Sequence, residues 1–278
     1  MIYLVVNFLP FNSSWNSNVK KLYEYDLLEI YGMSNRSNLE YKIPYWNRRD
    51  FVIKELDQRK DTIRSVFDVG AAQGNFSLAL AENGFKVTWN DIRDDIVEYV
   101  KAKYEYGDID FVLGNIFEIN SDVRYDCVLI TEVIEHVAHP DQFLMKCRDF
   151  LEPNGIIVMT TPNGRYFRNK LPKFSECSDP SQFELLQFRP DSDGHIFLLH
   201  PEEITKLAAD CGMSVQKVQF FNNFFTSGHI KLRYILKYFP ISIIKLLESL
   251  SQKLPIQIAS RIHAQTIAVL VTDNLTIK

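Results

Sequence analysis

Val66-Phe67-Asp68-Val69-Gly70-Ala71-Ala72-Gln73-Gly74-Asn75 is the stretch on which the reading of this chain turns. An apolar, β-type run delivers an aspartate into a turn of small residues, and a helical pattern starts at once. Such a turn belongs at the carboxyl end of a first parallel strand. There the small side chains let a nucleotide-type ligand approach the backbone, and the helix N-terminus offers unpaired N–H groups. Glycine-rich turns also form simply to pack a helix on a sheet, so the meaning of this one rests on the segments downstream.

Outward from this turn, apolar β-type runs alternate with amphipathic stretches. Strands are expected over residues 65–69, 86–90, 109–113, 125–131 and 155–161, and helices over 75–83, 94–104 and 140–151. Glu152-Pro153-Asn154-Gly155 reads as the stop of the last helix. A final run, 265–272, is expected to pair with 214–221 as an antiparallel edge. The fold class is therefore α/β: a doubly wound, mostly parallel seven-stranded sheet with a last antiparallel strand and helices on both faces. Residues 1–64 form an N-terminal lid or helical extension carrying Tyr41, Tyr45, Trp46, Arg48, Arg49 and Phe51. These residues either cover the cofactor or pack a helix on the core. Residues 65–278 form the main domain, with insertions at 163–194 and 228–262.

The chain has 278 residues, 46% of them hydrophobic and 24% charged, enough to bury a core without covalent staples. Its net charge of -4 argues against a general nucleic-acid coat. Cys127, Cys147, Cys177 and Cys211 are widely spaced, with no Cys-x-x-Cys pair. They read as reduced, mostly buried thiols of a cytoplasmic protein, not as a zinc site. Residues 1–11 are apolar without a basic leader or small-residue cleavage site, and they are too short to span a bilayer. A packed strand or a loosely anchored arm is expected there.

Asp91 follows Val87-Thr88-Trp89-Asn90, where a second strand of this fold presents a carboxylate to both ribose hydroxyls. The bland alternative is a cap for the next helix. Asp68 either binds a cationic group or fixes the turn. At this point a dehydrogenase and a methyltransferase fit equally.

The next segments separate them. Tyr125-Asp126-Cys127-Val128-Leu129-Ile130-Thr131-Glu132-Val133-Ile134-Glu135-His136-Val137-Ala138-His139-Pro140 strongly resembles the fourth-strand motif of class I S-adenosylmethionine-dependent methyltransferases. Leu151-Glu152-Pro153-Asn154-Gly155-Ile156-Ile157-Val158-Met159-Thr160-Thr161-Pro162-Asn163 resembles their fifth-strand motif with its Pro-x-Gly turn. The resemblance covers about residues 65–220 and 264–273, with the motifs in order and at family spacing. It implies S-adenosylmethionine as cofactor. It assigns Asp68, Gly70, Ala72 and Gly74 to the methionine end, Asp91 to the ribose and Ile92 to one face of the adenine. Asn115, flanked by Gly114 and Ile116, goes to the adenine amino group, and Thr131 to the neighbourhood of the sulfonium. Ala72 replaces the usual central glycine of the turn, which alanine accommodates if φ there is below zero. Asn115 replaces an acidic residue, and its amide still hydrogen-bonds adenine. These two departures are the only support for a non-catalytic, methyltransferase-like partner protein.

Glu132, Glu135 and His136 fall at i, i+3 and i+4 if a helical turn begins after the fourth strand, and His195 in Asp193-Gly194-His195 can complete a set of four. Such a set suits Mg²⁺ or another divalent metal, which would grip adjacent hydroxyls and lower the pKa of the attacking one. It is similar to the metal ligands of the small-RNA 3′-terminal 2′-O-methyltransferases and of the ubiquinone-pathway O-methyltransferases. Without a metal, the glutamates favour the helix N-terminus, and His136 with Glu135 carries the base chemistry. His139 is expected at the loop surface, and His200 is given no role.

Residues 229–262 hold Lys231, Arg233, Lys237, Lys245, Lys253 and Arg261 against the single acid Glu248, interleaved with leucines and isoleucines and broken at Pro240 and Pro255. One or two apolar-basic helices are expected, either capping the site, forming a dimer surface, or making peripheral membrane contact. The reading of the whole chain is a methyltransferase acting on oxygen of a small-molecule, glycan or lipid-linked acceptor. An RNA 3′-end 2′-O-methyltransferase is the alternative, disfavoured by charge.

Overall fold

The computed structural model describes residues 8–30, 39–187, 194–227, 229, 233–236 and 238–272, with the side chains of Glu40, Tyr41 and Arg233 outside that set. The expectations for residues 1–7, Tyr41, Asp193, Lys231, Leu232 and Lys237 therefore lie outside the described residues. Residues 8–12 carry no regular structure.

Seven strands form one sheet in the order β3-β2-β1-β4-β5-β7-β6. They are β1 (Ser65–Val69), β2 (Lys86–Asp91), β3 (Asp108–Leu113), β4 (Tyr125–Thr131), β5 (Leu151–Pro162), β6 (Met213–Asn223) and β7 (His263–Thr272). The first five run parallel, and β7 slots antiparallel between β5 and β6. The strand order reverses between β1 and β4. In a sheet of this kind the crevice above that switch point is where ligands bind.

β1 buries four of its five residues, so it reads as a continuous apolar run and not as an alternating one. Helices α3 (Asn75–Glu82), α4 (Val97–Lys103), α5 (Pro140–Arg148) and α6 (Pro201–Asp210) supply the crossovers and the outer cover. Pro140 and Pro201 stand at first-turn positions, where the missing N–H costs nothing. Two apolar clusters cover the two faces: one holds Val66, Leu80, Trp89 and Leu129, the other Phe67, Val128, Ile157 and Leu207.

The end of α5 departs from the expected boundary. The helix stops at Arg148, and Leu151 already pairs with Tyr125 in the sheet. Glu152-Pro153-Asn154-Gly155 lies within β5, with Asn154 at φ 67°. The tight Pro-Asn-Gly segment thus sits at a strand irregularity instead of ending the helix. The region expected as one helix over 94–104 divides into a 3₁₀ turn, Asp94–Ile96, and α4.

The N-terminal segment contains α1 (Ser17–Glu29) and α2 (Leu39–Asp57). Val19 and Tyr23 of α1 and Tyr45 and Val52 of α2 share the core of the β1–β2 face. A buried polar network fastens α1 to the sheet. Asp26 accepts hydrogen bonds from Tyr99 Oη (2.5 Å), Lys103 Nζ (2.8 Å) and Asn75 Nδ2 (2.7 Å). Asn75 Oδ1 closes the ring by accepting from Lys103 Nζ at 2.8 Å. Every member is satisfied, which is the condition under which a buried charge pair is tolerated. Asn75 opens α3 directly after the small-residue turn, so the network also anchors that turn.

Late in the chain, α7 (Arg233–Leu236), α8 (Ile241–Ser251) and α9 (Ile256–Ile262) form a helical insertion between β6 and β7. Pro240 and Pro255 each cap the next helix, so the expected one or two helices are three.

Candidate active site

The turn after β1 is built around Asp91. Its Oδ2 accepts the backbone N–H of Ala72 at 2.9 Å, and its Oδ1 accepts from the N–H and Nε of Arg93 at 3.0 and 3.2 Å. Trp89 Nε1 donates to the Ala72 carbonyl at 3.1 Å. Ala72 itself has φ 46°, so the condition of a negative φ is not met. It holds a left-handed conformation that costs an L residue steric strain, and the two hydrogen bonds from the β2 end clamp it there. Gly70 (φ 66°) and Gly74 (φ 68°) flank it. A Cβ on Gly70 would stand 2.8 Å from Val133, and one on Gly74 2.5 Å from Val100, so neither position tolerates a side chain.

A cavity of about 240 Å³ opens above this turn. Among its walls are Gly70, Ala72, Asp91, Ile92, Asn115, Ile116, Glu132 and His136, all expected from the sequence. Asp68, Gly74 and Thr131 do not line it. Asp68 instead accepts Ser77 Oγ at 2.5 Å and is fully buried, so it ties the end of β1 to α3, while its Oδ1 is buried with no hydrogen-bond partner. Burial, relieved only in part by Ser77 and reinforced by nearby Asp91, pushes its carboxyl up to about 7. Asn115 spends its Oδ1 on the Phe117 N–H at 3.1 Å, which leaves its amide nitrogen for the cavity. Val133, Phe117, Phe143 and Arg93 also line the space and were not foreseen. Only the adjacency of Phe117 to Asn115-Ile116 signalled one of them.

The residues fit S-adenosylmethionine. A carboxylate, an amide N–H donor, a sterically closed glycine turn and apolar walls from Ile92, Ile116 and Phe143 match the ribose hydroxyls, an acceptor ring nitrogen of adenine, the methionine backbone and the adenine ring. Ala72 and Asn115 leave that cavity open.

Beyond Glu132 a second cavity of about 570 Å³ begins, lined by Tyr166, Arg168, Asn169, His195, His229 and Gln265 among others. Glu132 belongs to both cavities, while His136 faces the first and His195 the second. Their rings lie 4.8 Å apart. Together with Glu135 they form the one cluster among the described residues able to hold a metal, with ligand atoms all within 4.8 Å of one another. Glu135 is fully buried. Its Oε2 accepts Thr161 Oγ1 at 3.1 Å, and its backbone carbonyl accepts the Ile196 N–H at 2.8 Å, which brings the loop of His195 to the site. Its Oε1 is buried with no hydrogen-bond partner and stands 4.0 Å from His195 Nε2. Burial, and the charge of Glu132, raise the Glu135 carboxyl well above its ordinary value. An orphaned carboxylate oxygen beside two imidazoles is a donor set that fits a divalent ion.

Glu132 does not join that group. The chain leaves β4 with Glu132 at φ 55°, and the next turn is 3₁₀ over Ile134–His136, so the expected i, i+3, i+4 face never forms. Its Oε2 turns instead to Arg48 Nη1 (3.2 Å) and Gln265 Nε2 (2.7 Å), while its Oε1 is buried with no hydrogen-bond partner. Arg48 of α2 thereby reaches the site, whereas Tyr45 is buried in the core against Phe76. The N-terminal helix thus both touches the site and packs on the sheet. His139 pairs with Glu184 of the 163–194 insertion at 2.9 Å and is not a free loop residue. His200 caps α6 in a capping box with Glu203.

A family profile described as a methyltransferase domain matches residues 41–218, well over half of the chain. A ubiquinone biosynthesis O-methyltransferase of Rickettsia canadensis (strain McKiel) is 27% identical over 177 residues, covering 62% of this chain and 72% of that protein. The protein of the same name from Rickettsia akari (strain Hartford) is 35% identical over 121 residues, 42% of this chain and 48% of that one. Against several such relatives the aligned region spans about half of their length. Among solved structures, the magnesium protoporphyrin IX methyltransferase from Synechocystis PCC 6803 with bound SAH superposes with a TM-score of 0.53 at 14% identity, over 91% of this chain and 100% of that one. Sheet order, glycine turn and family match agree: the chain belongs to the S-adenosylmethionine-dependent methyltransferases of the class I, Rossmann-like fold.

Proposed function

We propose that the enzyme methylates an oxygen of a small-molecule acceptor seated in the cavity bounded by Tyr166, His195, His229 and Gln265. The carrying observation is the Glu135–His136–His195 cluster, which stands where the cofactor cavity meets the second one. When bound, S-adenosylmethionine supplies an electrophilic methyl group that needs little activation. The protein's task is then to remove the acceptor proton and to align the oxygen. His195 faces the acceptor side and takes the hydroxyl proton on a ring nitrogen. Glu135, buried behind it, orients the imidazole and steadies its charge once protonated. Gly70, Asp91, Ile92, Asn115 and Ile116 hold the cofactor, and Glu132, fixed by Arg48 and Gln265, walls the passage between the cavities.

In place of the His195 base, Glu135 Oε1 and one ring nitrogen each of His136 and His195 would hold a divalent ion, which would lower the pKa of the acceptor hydroxyl. The relatives' printed names support an O-methyl acceptor of small size. Calorimetric titration with S-adenosylhomocysteine tests the cofactor half of the reading, with no binding at tens of micromolar overturning it. Methyl transfer from labelled cofactor to a panel of phenols and sugars tests the acceptor half. Transfer to nitrogen acceptors alone would refute O-methylation.

A further inference from the structure

The insertion between β6 and β7 is amphipathic in the inverted sense. Of α8, the face turned to the protein carries Ile244, Glu248 and Ser251, whereas Leu246 (56% exposed) and Leu250 (50%) point to solvent. In α9, Ala259 and Ser260 are buried, while Ile256 (58%) and Ile258 (48%) are exposed. The linkers add exposed Phe239 and Leu254. A helix folded only for water would do the reverse, and an apolar face of this extent marks an interaction surface.

Charge selects the occupant. Glu248 is the single acid between residues 229 and 262, and the fold removes it from the surface. Its Oε1 accepts from the Asn222 N–H at 2.7 Å and its Oε2 from the Asn223 N–H at 3.1 Å and Thr226 Oγ1 at 2.8 Å. What remains outside is Lys245, Lys253 and Arg261, all exposed. Asp50, whose carboxyl feels the charge of Lys245, lies on α2 and pairs with Arg49 at 3.3 Å. A second copy of this chain docked on the same face would set like charges against each other. Among the described residues of this insertion the exposed charges are all cations, which makes its apolar surface complementary to anionic lipid. No helix among the described residues is long and apolar enough to cross a membrane, so the contact is interfacial.

We propose that α8 and α9 dock the enzyme on an anionic lipid bilayer, with Leu246, Leu250, Ile256 and Ile258 entering the acyl boundary and Lys245, Lys253 and Arg261 meeting the headgroups. The acceptor cavity opens beside this face, since the Phe167 N–H donates to the Arg261 carbonyl at 3.0 Å and its neighbours Tyr166 and Arg168 line the cavity. Docking therefore turns that cavity towards the bilayer surface.

The test is flotation of the full chain with vesicles of phosphatidylcholine alone and with 1:3 phosphatidylglycerol added, independent of any turnover assay. Binding to the anionic vesicles at least about tenfold above the neutral ones, weakened by salt, is expected. Leu246→Glu with Leu250→Glu should abolish it while cofactor affinity and melting temperature stay unchanged, and Lys253→Glu should weaken it. Absence of flotation at low salt overturns the proposal. So does a concentration-dependent dimer that these same substitutions dissolve, without vesicle binding.

Discussion

Asp26 Oδ2 and Lys103 Nζ lie 2.8 Å apart with neither side chain exposed to solvent, and this pair joins α1 to α4 beneath the cofactor turn. Burial lowers the Lys103 pKa and Asp26 raises it back in part. The pair persists because Tyr99 and Asn75 satisfy the remaining polar atoms. Removing one partner leaves a buried charge without compensation. Lys103→Met is therefore expected to destabilise the fold by about 3–5 kcal/mol, and Asp26→Asn combined with it to recover a large part of that loss. Urea unfolding of the single and double variants measures both; equal losses in the two would contradict this role for the pair.

Ala72 sits in the left-handed region at φ 46°, held by Asp91 below and Trp89 behind. Glycine would relieve the strain without disturbing either hydrogen bond, since both use backbone atoms. Ala72→Gly should stabilise the protein by about 1 kcal/mol, read as a shift in the urea midpoint at unchanged slope. A loss of stability would mean that the alanine methyl packs favourably in the turn.

Asp91 serves the turn and the cavity together. Asp91→Ala removes the partner of the Ala72 N–H and the acceptor for the ribose, so S-adenosylhomocysteine affinity should fall by about tenfold or more, since hydrogen bonds to charged groups are worth about 1.5–3 kcal/mol. Calorimetry measures it, and an unchanged dissociation constant would remove Asp91 from the cofactor site.

Asp68 gives the fold a pH dependence of defined sign. Its carboxyl is raised to about 7 in the folded protein, chiefly by burial, against about 3.9 for an unfolded aspartate. Between those values the folded state keeps a proton that the unfolded chain has released. Stability then falls as pH rises through the window, by up to about 1.4 kcal/mol per pH unit, and levels off above it. Glu29, also raised to about 7, adds a slope of the same sign. Asp68→Asn should make the decline shallower by one proton while keeping the bond to Ser77. An identical slope in the variant would exclude Asp68 as its source.

The sheet was legible because its signals are local. Apolar runs such as Val87–Trp89 and Cys127–Ile130 are set by neighbours in sequence, whereas the boundaries moved at Arg148, at the 3₁₀ turn Asp94–Ile96 and among the late helices. The wall of the cavity above the β1 turn was legible for the same reason at Gly70, Asp91 and Asn115. What escaped is held by contacts across the chain. Arg48 on Glu132, Gln265 on Glu132 and Asp26 on Lys103 join segments with no shared periodicity. Ala72 and Glu132 both hold left-handed conformations, Ala72 clamped through its own N–H and carbonyl, and residue type alone announces neither.

The proposed ion at Glu135, His136 and His195 makes the sharpest prediction about catalysis. With an ion bound, the Glu135 carboxylate is ionised and its Oε1 is no longer an orphan. Isothermal titration of the metal-stripped protein with Mn²⁺ should show one site, lost in His195→Ala and weakened in Glu135→Gln, because an amide keeps the shape and loses the charge. Glu132→Gln should bind Mn²⁺ as the unmodified protein does, since its carboxylate belongs to Arg48 and Gln265. If Glu132→Gln removes the site as His195→Ala does, Glu132 swings out of its ion pair to ligate, and the four-residue set is restored. If the stripped protein binds no Mn²⁺ and turnover survives a strong chelator, the cluster works as an acid–base pair alone, and His195→Ala should then cost about 10²–10⁴-fold in kcat.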